Sequence, residues 1–210
     1  MATTSESLAA AGIVADIAGL ADEPAVPANP AFSLGFRGNG TVYTPAATAT
    51  PPRVTFAAAK PDTRYTLVLT DPDAPDRASH VYREFVHWVV SDLTFAADGT
   101  AEAGTTVLPY VGPGPPCNSG LHRYVFLLYE QPAGAEPAAL AAAFEGRGGK
   151  RAHEAARAAG LGPLVAVDWY EAQWDETVDA AHTAIGFMPP AQFRSPAQKA
   201  QVAAVEEAKQ

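Results

Sequence analysis

Arg64-Tyr-Thr-Leu-Val-Leu-Thr-Asp-Pro-Asp-Ala-Pro-Asp-Arg77 is the stretch from which the chain can be read. Its first half is rich in aromatic and β-branched residues, which suit a pleated, covered surface and predict a strand over 64–70. The strand has to stop at Asp71-Pro72, because proline lacks the N–H that a ladder needs. The second half, Asp71–Arg77, sets three acids, two prolines and an arginine in seven positions. Aspartates bond their own backbone and prolines fix φ, so a stiff turn follows. A turn this stiff can aim a carboxylate at a partner, with Arg77 as a counter-ion.

Two further strands follow on the C-terminal side. Phe85–Val90 is apolar on both faces, which predicts a strand covered on both sides. His122–Tyr129 is the next, after a loop (108–120, LPYVGPGPPCNSG) too rich in Gly and Pro for regular structure. Residues 136–158 are Ala-rich with helical spacing broken at 146–149, 164–169 reads as a strand, and 175–182 as a helix. On the N-terminal side, residues 7–20 predict a short amphipathic helix with Leu8, Ile13, Ile17 and Leu20 on one face. Prolines at 24, 27 and 30 then force an extended connector, and 32–36, 41–43 and 47–56 read as extended or strand segments. The expected fold is mostly β, a large antiparallel sheet packed on a smaller one with peripheral helices. One domain is expected over 1–188, with a helical or frayed tail over 189–210.

Composition narrows the function. The 210 residues carry a formal net charge of −9, which repels phosphate backbones and argues against nucleic-acid partners and polybasic membrane contact. Cys117 is the single cysteine, so no intrachain disulfide forms and a reducing, cytoplasmic location is expected. The N-terminal segment lacks a basic n-region and its apolar run is broken by Asp16, which predicts neither a secretory signal nor an integral membrane span.

Alternation places side chains on strand faces. His87 is expected beside Phe85 and Val89. Taken alone it reads as a core histidine with a satisfied hydrogen bond. His122 and Tyr124 share one face of their strand, and Arg123 points the other way, into an ion pair with Asp73 or Glu84. The loop Val111-Gly-Pro-Gly-Pro-Pro116 lets backbone approach a ligand closely while stiffening the wall. Asp71, His87, His122 and Tyr124 with this loop suggest a small rigid pocket lined by donors and acceptors. Hydrolysis by Cys117 or Ser119 with His122 is one alternative, weakened by the missing Gly-x-Ser-x-Gly elbow. A zinc site built from Asp71, His87 and His122 is another, weakened by the lack of closely spaced ligands.

DPDAPDR (71–77), YREFVHW (82–88) and YVGPGPP…GLHRYVFLLYEQ (110–131) resemble, in order and separation, the signature segments of the phosphatidylethanolamine-binding protein family. The resemblance runs from about residue 12 to 186, and GLGPLVAVDWYEAQWD resembles the fungal, carboxypeptidase Y inhibitor-like branch. It implies a binding protein without catalytic residues or cofactor, a monomer whose pocket takes phosphate, a phosphorylated group or a phospholipid headgroup. It implies a serine carboxypeptidase or a kinase as protein partner. Carried over by position, the pocket comprises Asp71, Ala74, Pro75, Tyr82, Phe85, His87, Val111, Gly112, Gly114, Pro115, His122 and Tyr124. His87 and His122 are expected to donate to phosphate oxygens, with a shared proton relieving repulsion from Asp71. Two positions depart from the family: Gln173 replaces an acid before the tryptophan, and His182 stands where a tyrosine often forms a lid.

Overall fold

The computed structural model describes residues 3–79, 81–135 and 137–207. Met1, Ala2, His80, Glu136 and residues 208–210 lie outside them, and with them the ends of the chain and the first residue of the helical stretch expected over 136–158.

The chain runs α1 (Ser5–Ala10), α2 (Ile13–Asp16), β1 (Phe32–Ser33), β2 (Thr41–Tyr43), β3 (Thr55–Phe56), β4 (Arg64–Asp71), β5 (Phe85–Phe95), β6 (Ala101–Leu108) and β7 (His122–Gln131). It continues through α3 (Pro137–Phe144), α4 (Ala152–Ala158), β8 (Leu164–Ala172), α5 (Glu176–Ala184) and α6 (Pro196–Glu207). Six strands form one sheet in the order β2-β8-β7-β4-β5-β6, and β1 pairs with β3 in a second, two-stranded sheet. All pairs are antiparallel except β2 with β8, which is parallel. The mostly-β sandwich expected from the strand pattern is the architecture found.

Both faces of the large sheet are covered, and β7 shows how one strand serves two cores. Val125, Leu127 and Tyr129 pack toward the helices, with Leu8, Ile13, Leu140, Phe144 and Ala156. Tyr124, Phe126 and Leu128 pack toward the small sheet, with Phe32, Phe56 and Leu69. Each such side chain, fully withdrawn from water, contributes roughly 1.5–3 kcal/mol. This is why the central strands read as unbroken apolar runs.

Several local expectations change. The apolar face of residues 8–20 is buried, but the segment is two short helices, because Gly12 adopts φ +72° and ends the first. A Cβ there would sit 3.1 Å from Arg123 Nη1, so the break also makes room for that guanidinium. Only 32–33 of the 32–36 stretch forms a strand, and a 3-10 turn occupies 45–48. β6 has no apolar alternation to announce it, being a largely exposed edge strand of Ala, Gly and Thr. The tail forms α6, which docks on α5 through buried Ser195 and Gln198. No helix among the described residues is long and apolar enough to cross a membrane.

Candidate functional site

The site grows from the end of β4. The turn after it is held as the acid-proline pattern demands, with the Asp73 amide donating to Asp71 Oδ1 at 2.7 Å. Asp71 Oδ2 accepts from His122 Nδ1 at 2.8 Å across the β4–β7 pairing. Both residues are nearly sealed, 3% and 1% exposed. Burial alone pushes His122 toward the neutral form, but the Asp71 charge and hydrogen bond outweigh it, and its pKa lies above the ordinary histidine value. His122 therefore keeps its proton to higher pH than an ordinary histidine. Its Nε2 lies 2.9 Å from Ser119 Oγ, which in turn donates to the Pro116 carbonyl at 2.7 Å.

His87 behaves differently. A β-bulge places Trp88 opposite Leu69 and Val86 opposite Thr70, leaving His87 as the extra residue. The bulge turns it toward the small-sheet side, where its ring lies 4.9 Å from Phe85 and 5.1 Å edge-on to Tyr124. Val89 packs on the opposite face, so the expectation that His87 and Val89 share a face is corrected. The reason is that a bulge adds one residue and shifts the alternation downstream of it. His87 Nδ1 faces the Val111 carbonyl at 2.8 Å, so that nitrogen carries the proton. Burial holds its pKa below the ordinary value, so the ring is neutral and Nε2 is an acceptor. The expectation that both imidazoles donate to an anion is thus narrowed to His122.

Tyr124 lies between them, wholly buried, its hydroxyl beside the Gly114 backbone. Val111 and Gly114 close the site from the Gly-Pro loop. A Cβ at Gly114 would come 3.2 Å from His182 Nε2, and that nitrogen lies 3.0 Å from the Gly114 carbonyl. His182 of α5 thus covers this loop, while Gln173 is exposed. Ala74, Pro75 and Pro115 are buried around the turn and loop. Tyr82 is 42% exposed, and its N–H donates to the Ala74 carbonyl at 3.1 Å, so it sits at the rim. Gly112 backs against Ala49, 3.2 Å from the position of a Cβ.

The opposite face of β7 carries the anchor. Arg123 is 1% exposed and binds Asp73 through Nε at 2.9 Å and Nη2 at 2.5 Å. It also reaches Asp16 Oδ2 at 2.7 Å and the Ala11 carbonyl at 2.6 Å. Of the two expected partners Asp73 is correct. Glu84 instead accepts from the Ala18 amide at 3.2 Å and the Thr70 hydroxyl at 3.3 Å.

The residues missed by sequence reasoning are Tyr170 and Glu84 as a titrating group. Tyr170 stacks on Tyr124 at 5.1 Å and 15°, and its buried hydroxyl lies beside Thr48 and Tyr110. A lone tyrosine in an apolar strand carries no local signal of this. Only its pairing with Tyr124 across β7 and β8 reveals it. Of the hydrolytic candidates, Cys117 is buried and Ser119 alone touches His122. The Ser119 hydroxyl donates to the Pro116 carbonyl. For zinc, Asp71 Oδ2 and His122 Nδ1 are spent on each other, and no cluster of three or more metal-type ligands occurs among the described residues.

Comparison with known proteins fits this arrangement. The model of the family "Phosphatidylethanolamine-binding protein" matches residues 23–169, from the proline connector into β8. A curated relative, the carboxypeptidase Y inhibitor of Saccharomyces cerevisiae, is 42% identical over 90 residues, 36% of this chain and 41% of the relative. Protein MOTHER of FT and TFL1 homolog 2 of Oryza sativa subsp. japonica is 42% identical over 95 residues, 45% of this chain and 52% of the relative. The matched parts thus span about two fifths to half of those relatives. Among solved structures, a carboxypeptidase Y inhibitor complexed with its cognate proteinase superposes with TM-score 0.60 at 27% identity, covering 81% of this chain and 94% of the other. A phosphatidylethanolamine-binding protein from Plasmodium vivax shares the fold, with TM-score 0.66 at 24% identity over 82% and 98% of the two chains. With a match that takes in the acid-proline turn, the bulged histidine and the strand behind the Gly-Pro loop, this chain belongs to the phosphatidylethanolamine-binding protein family.

Proposed function

We propose that this chain is a non-enzymatic regulator whose pocket takes a phosphate or phosphorylated group, as a free ligand or a headgroup, and whose protein partner is a serine carboxypeptidase. The observation that carries the pocket is His122, a buried imidazole whose proton Asp71 holds, set beside the buried hydroxyl of Tyr124. A phosphate oxygen replaces Ser119 at Nε2 and gains a charge-assisted bond, about 1.5–3 kcal/mol. A singly protonated phosphate donates back to neutral His87. The partner reading is supported by likeness to an inhibitor whose solved complex contains its cognate proteinase. The single cysteine and acidic surface suit a cytoplasmic location.

The sign of the pH dependence follows from His122. Its pKa is raised, so the cation is fully present at mildly acidic pH and is lost as pH climbs through that raised value. Calorimetric titration of phosphate should show affinity falling above about pH 7; a flat profile from pH 6 to 9 contradicts the assignment. His122→Ala should abolish phosphate binding with the β-sheet circular dichroism retained, and an unchanged Kd would refute the pocket. Stoichiometric inhibition of a vacuolar serine carboxypeptidase is the expected result for the partner, and full peptidase activity at excess protein would refute it.

A further inference from the structure

We propose that α6 is a strap released by acid: protonation of His182 removes the acceptor that holds Gln198, and the helix leaves α5. This does not depend on the phosphate reading, and α6 lies beyond residue 186, outside the stretch that resembles the family.

α6 is held by few groups, and those are polar. Ser195 and Pro196 start the helix with a reciprocal cap. Ser195 Oγ accepts from the Gln198 amide and Gln198 Oε1 accepts from the Ser195 amide, both at 3.1 Å. Gln198 is the buried residue of the helix, while Val202 is half-buried and Val205 is 51% exposed. Two side-chain bonds cross to α5. The Ser195 hydroxyl donates to Asp179 Oδ2, and Gln198 Nε2 lies 3.3 Å from His182 Nδ1. Beyond them Ala180, Thr183 and Ala184 of α5 face Ala197 and Gln201 of α6 across an open groove of about 420 Å³. Most helices are kept in place by a packed apolar face. This one buries little of that kind, so it depends on the two bonds.

The bonding admits one protonation state of His182, whose ring is buried. The Gly114 carbonyl, 3.0 Å from Nε2, can only accept, so Nε2 carries the proton. Gln198 Oε1 is occupied by the Ser195 amide, which fixes the side-chain amide. Its Nε2 is therefore the donor, and His182 Nδ1 the acceptor. A proton added at Nδ1 sets two donors against each other, and turning the Gln198 amide over breaks the cap. Nothing nearby relieves this. Phe187 is edge-on at 4.9 Å, and Arg194 is bound to the Pro189 carbonyl. Lys199, Glu206 and Glu207 of α6 are exposed. Asp179, one turn earlier on α5, already accepts from the Ser195 hydroxyl and from Trp174 Nε1. Burial outweighs the Gly114 carbonyl and the Asp179 charge, and holds the pKa of the docked ring below 6.5. A released ring titrates near about 6.5, so it takes up the proton first. Docking is therefore at full strength above about pH 7 and weakens as pH falls from about 6.5 toward the docked value.

Hydrogen exchange read by mass spectrometry tests this on the full chain at pH 7.5 and 5.0, with rates corrected for intrinsic exchange. A free helix of 12 residues is marginal in water, so release shows as lost protection over 198–207. Protection there should fall about 10-fold from pH 7.5 to 5.0, while β4 and β7 stay protected and certify the fold of each variant. Gln198→Glu keeps the cap acceptor and offers a carboxylate to a protonated Nδ1, so its helix should stay protected at pH 5.0. His182→Gln cannot titrate and should give equal protection at both pH values. The same fall in either variant overturns the proposal, because the titrating group then lies elsewhere. So does equal protection of the intact chain at the two pH values.

Discussion

Asp73→Ala should lower the free energy of unfolding by about 3–5 kcal/mol in a urea titration, the range for breaking a buried ion pair from one side. Asp73 has no exposure, and Arg123 has 1%. Removing the carboxylate deletes bonds to the Arg123 backbone amide at 2.8 Å, to Nε and to Nη2. What remains for the guanidinium is the Ala11 carbonyl and Asp16, whose side chain is 29% exposed. Asp16→Ala should therefore cost much less, about 1 kcal/mol. Burial pushes the Asp73 carboxyl up, but Arg123 overrides it and the net pKa is lowered. A lowered carboxylate contributes stability that is present above its unfolded value, about 3.9, and lost as pH falls through the folded one. Asp73→Ala should flatten the acid limb of the stability profile below about pH 4. A loss under about 1 kcal/mol, or an unchanged acid limb, would show that the turn is not anchored by this pair.

Glu84→Gln should raise stability at pH 8 by about 3 kcal/mol and leave it nearly unchanged at pH 4.5. Glu84 is 1% exposed between β5, the loop after α2 and the start of α4. Burial raises its pKa from 4.5 to about 7, against the opposing hydrogen bonds from Ala18, Ala152 and Thr70 and the charge of Arg83. For a raised carboxyl the contribution is fully present below the unfolded value and lost as pH rises through the folded one. The window is therefore pH 4.5 to 7, over which the native chain loses stability from this group. Glutamine keeps an acceptor for the Ala18 amide and never ionises. Thermal melts at half-unit pH steps decide the matter, and parallel profiles for the two proteins would remove Glu84 as the titrating group.

The readings that held rest on residues whose meaning is local. Strand 64–71 follows from β-branched and aromatic composition, and its end follows from Asp71-Pro72. Arg123 opposes His122 and Tyr124 because side chains in a regular strand alternate. The helical stretches around 137–158, the strand at 164 and the helix capped by Asp175 all appear where turn and propensity signals put them. Where a bulge breaks the alternation, as at His87, no local signal exists, because the extra residue is defined only against the partner strand. The same holds for the break at Gly12, which answers to a guanidinium more than a hundred residues away.

By itself the sequence determined which segments become covered strands, where they stop, and which polar residues stand at their ends, since these depend on residue type and on period alone. Tertiary structure decided the chemistry. It raised the pKa of His122 and lowered that of His87, because one is bonded to a carboxylate and the other to a carbonyl, both under deep burial. It stacked Tyr124 on Tyr170, because only strand pairing makes neighbours of residues 124 and 170. Protonation and hydrogen-bond satisfaction are properties of surroundings, and those surroundings are assembled from distant parts of the chain.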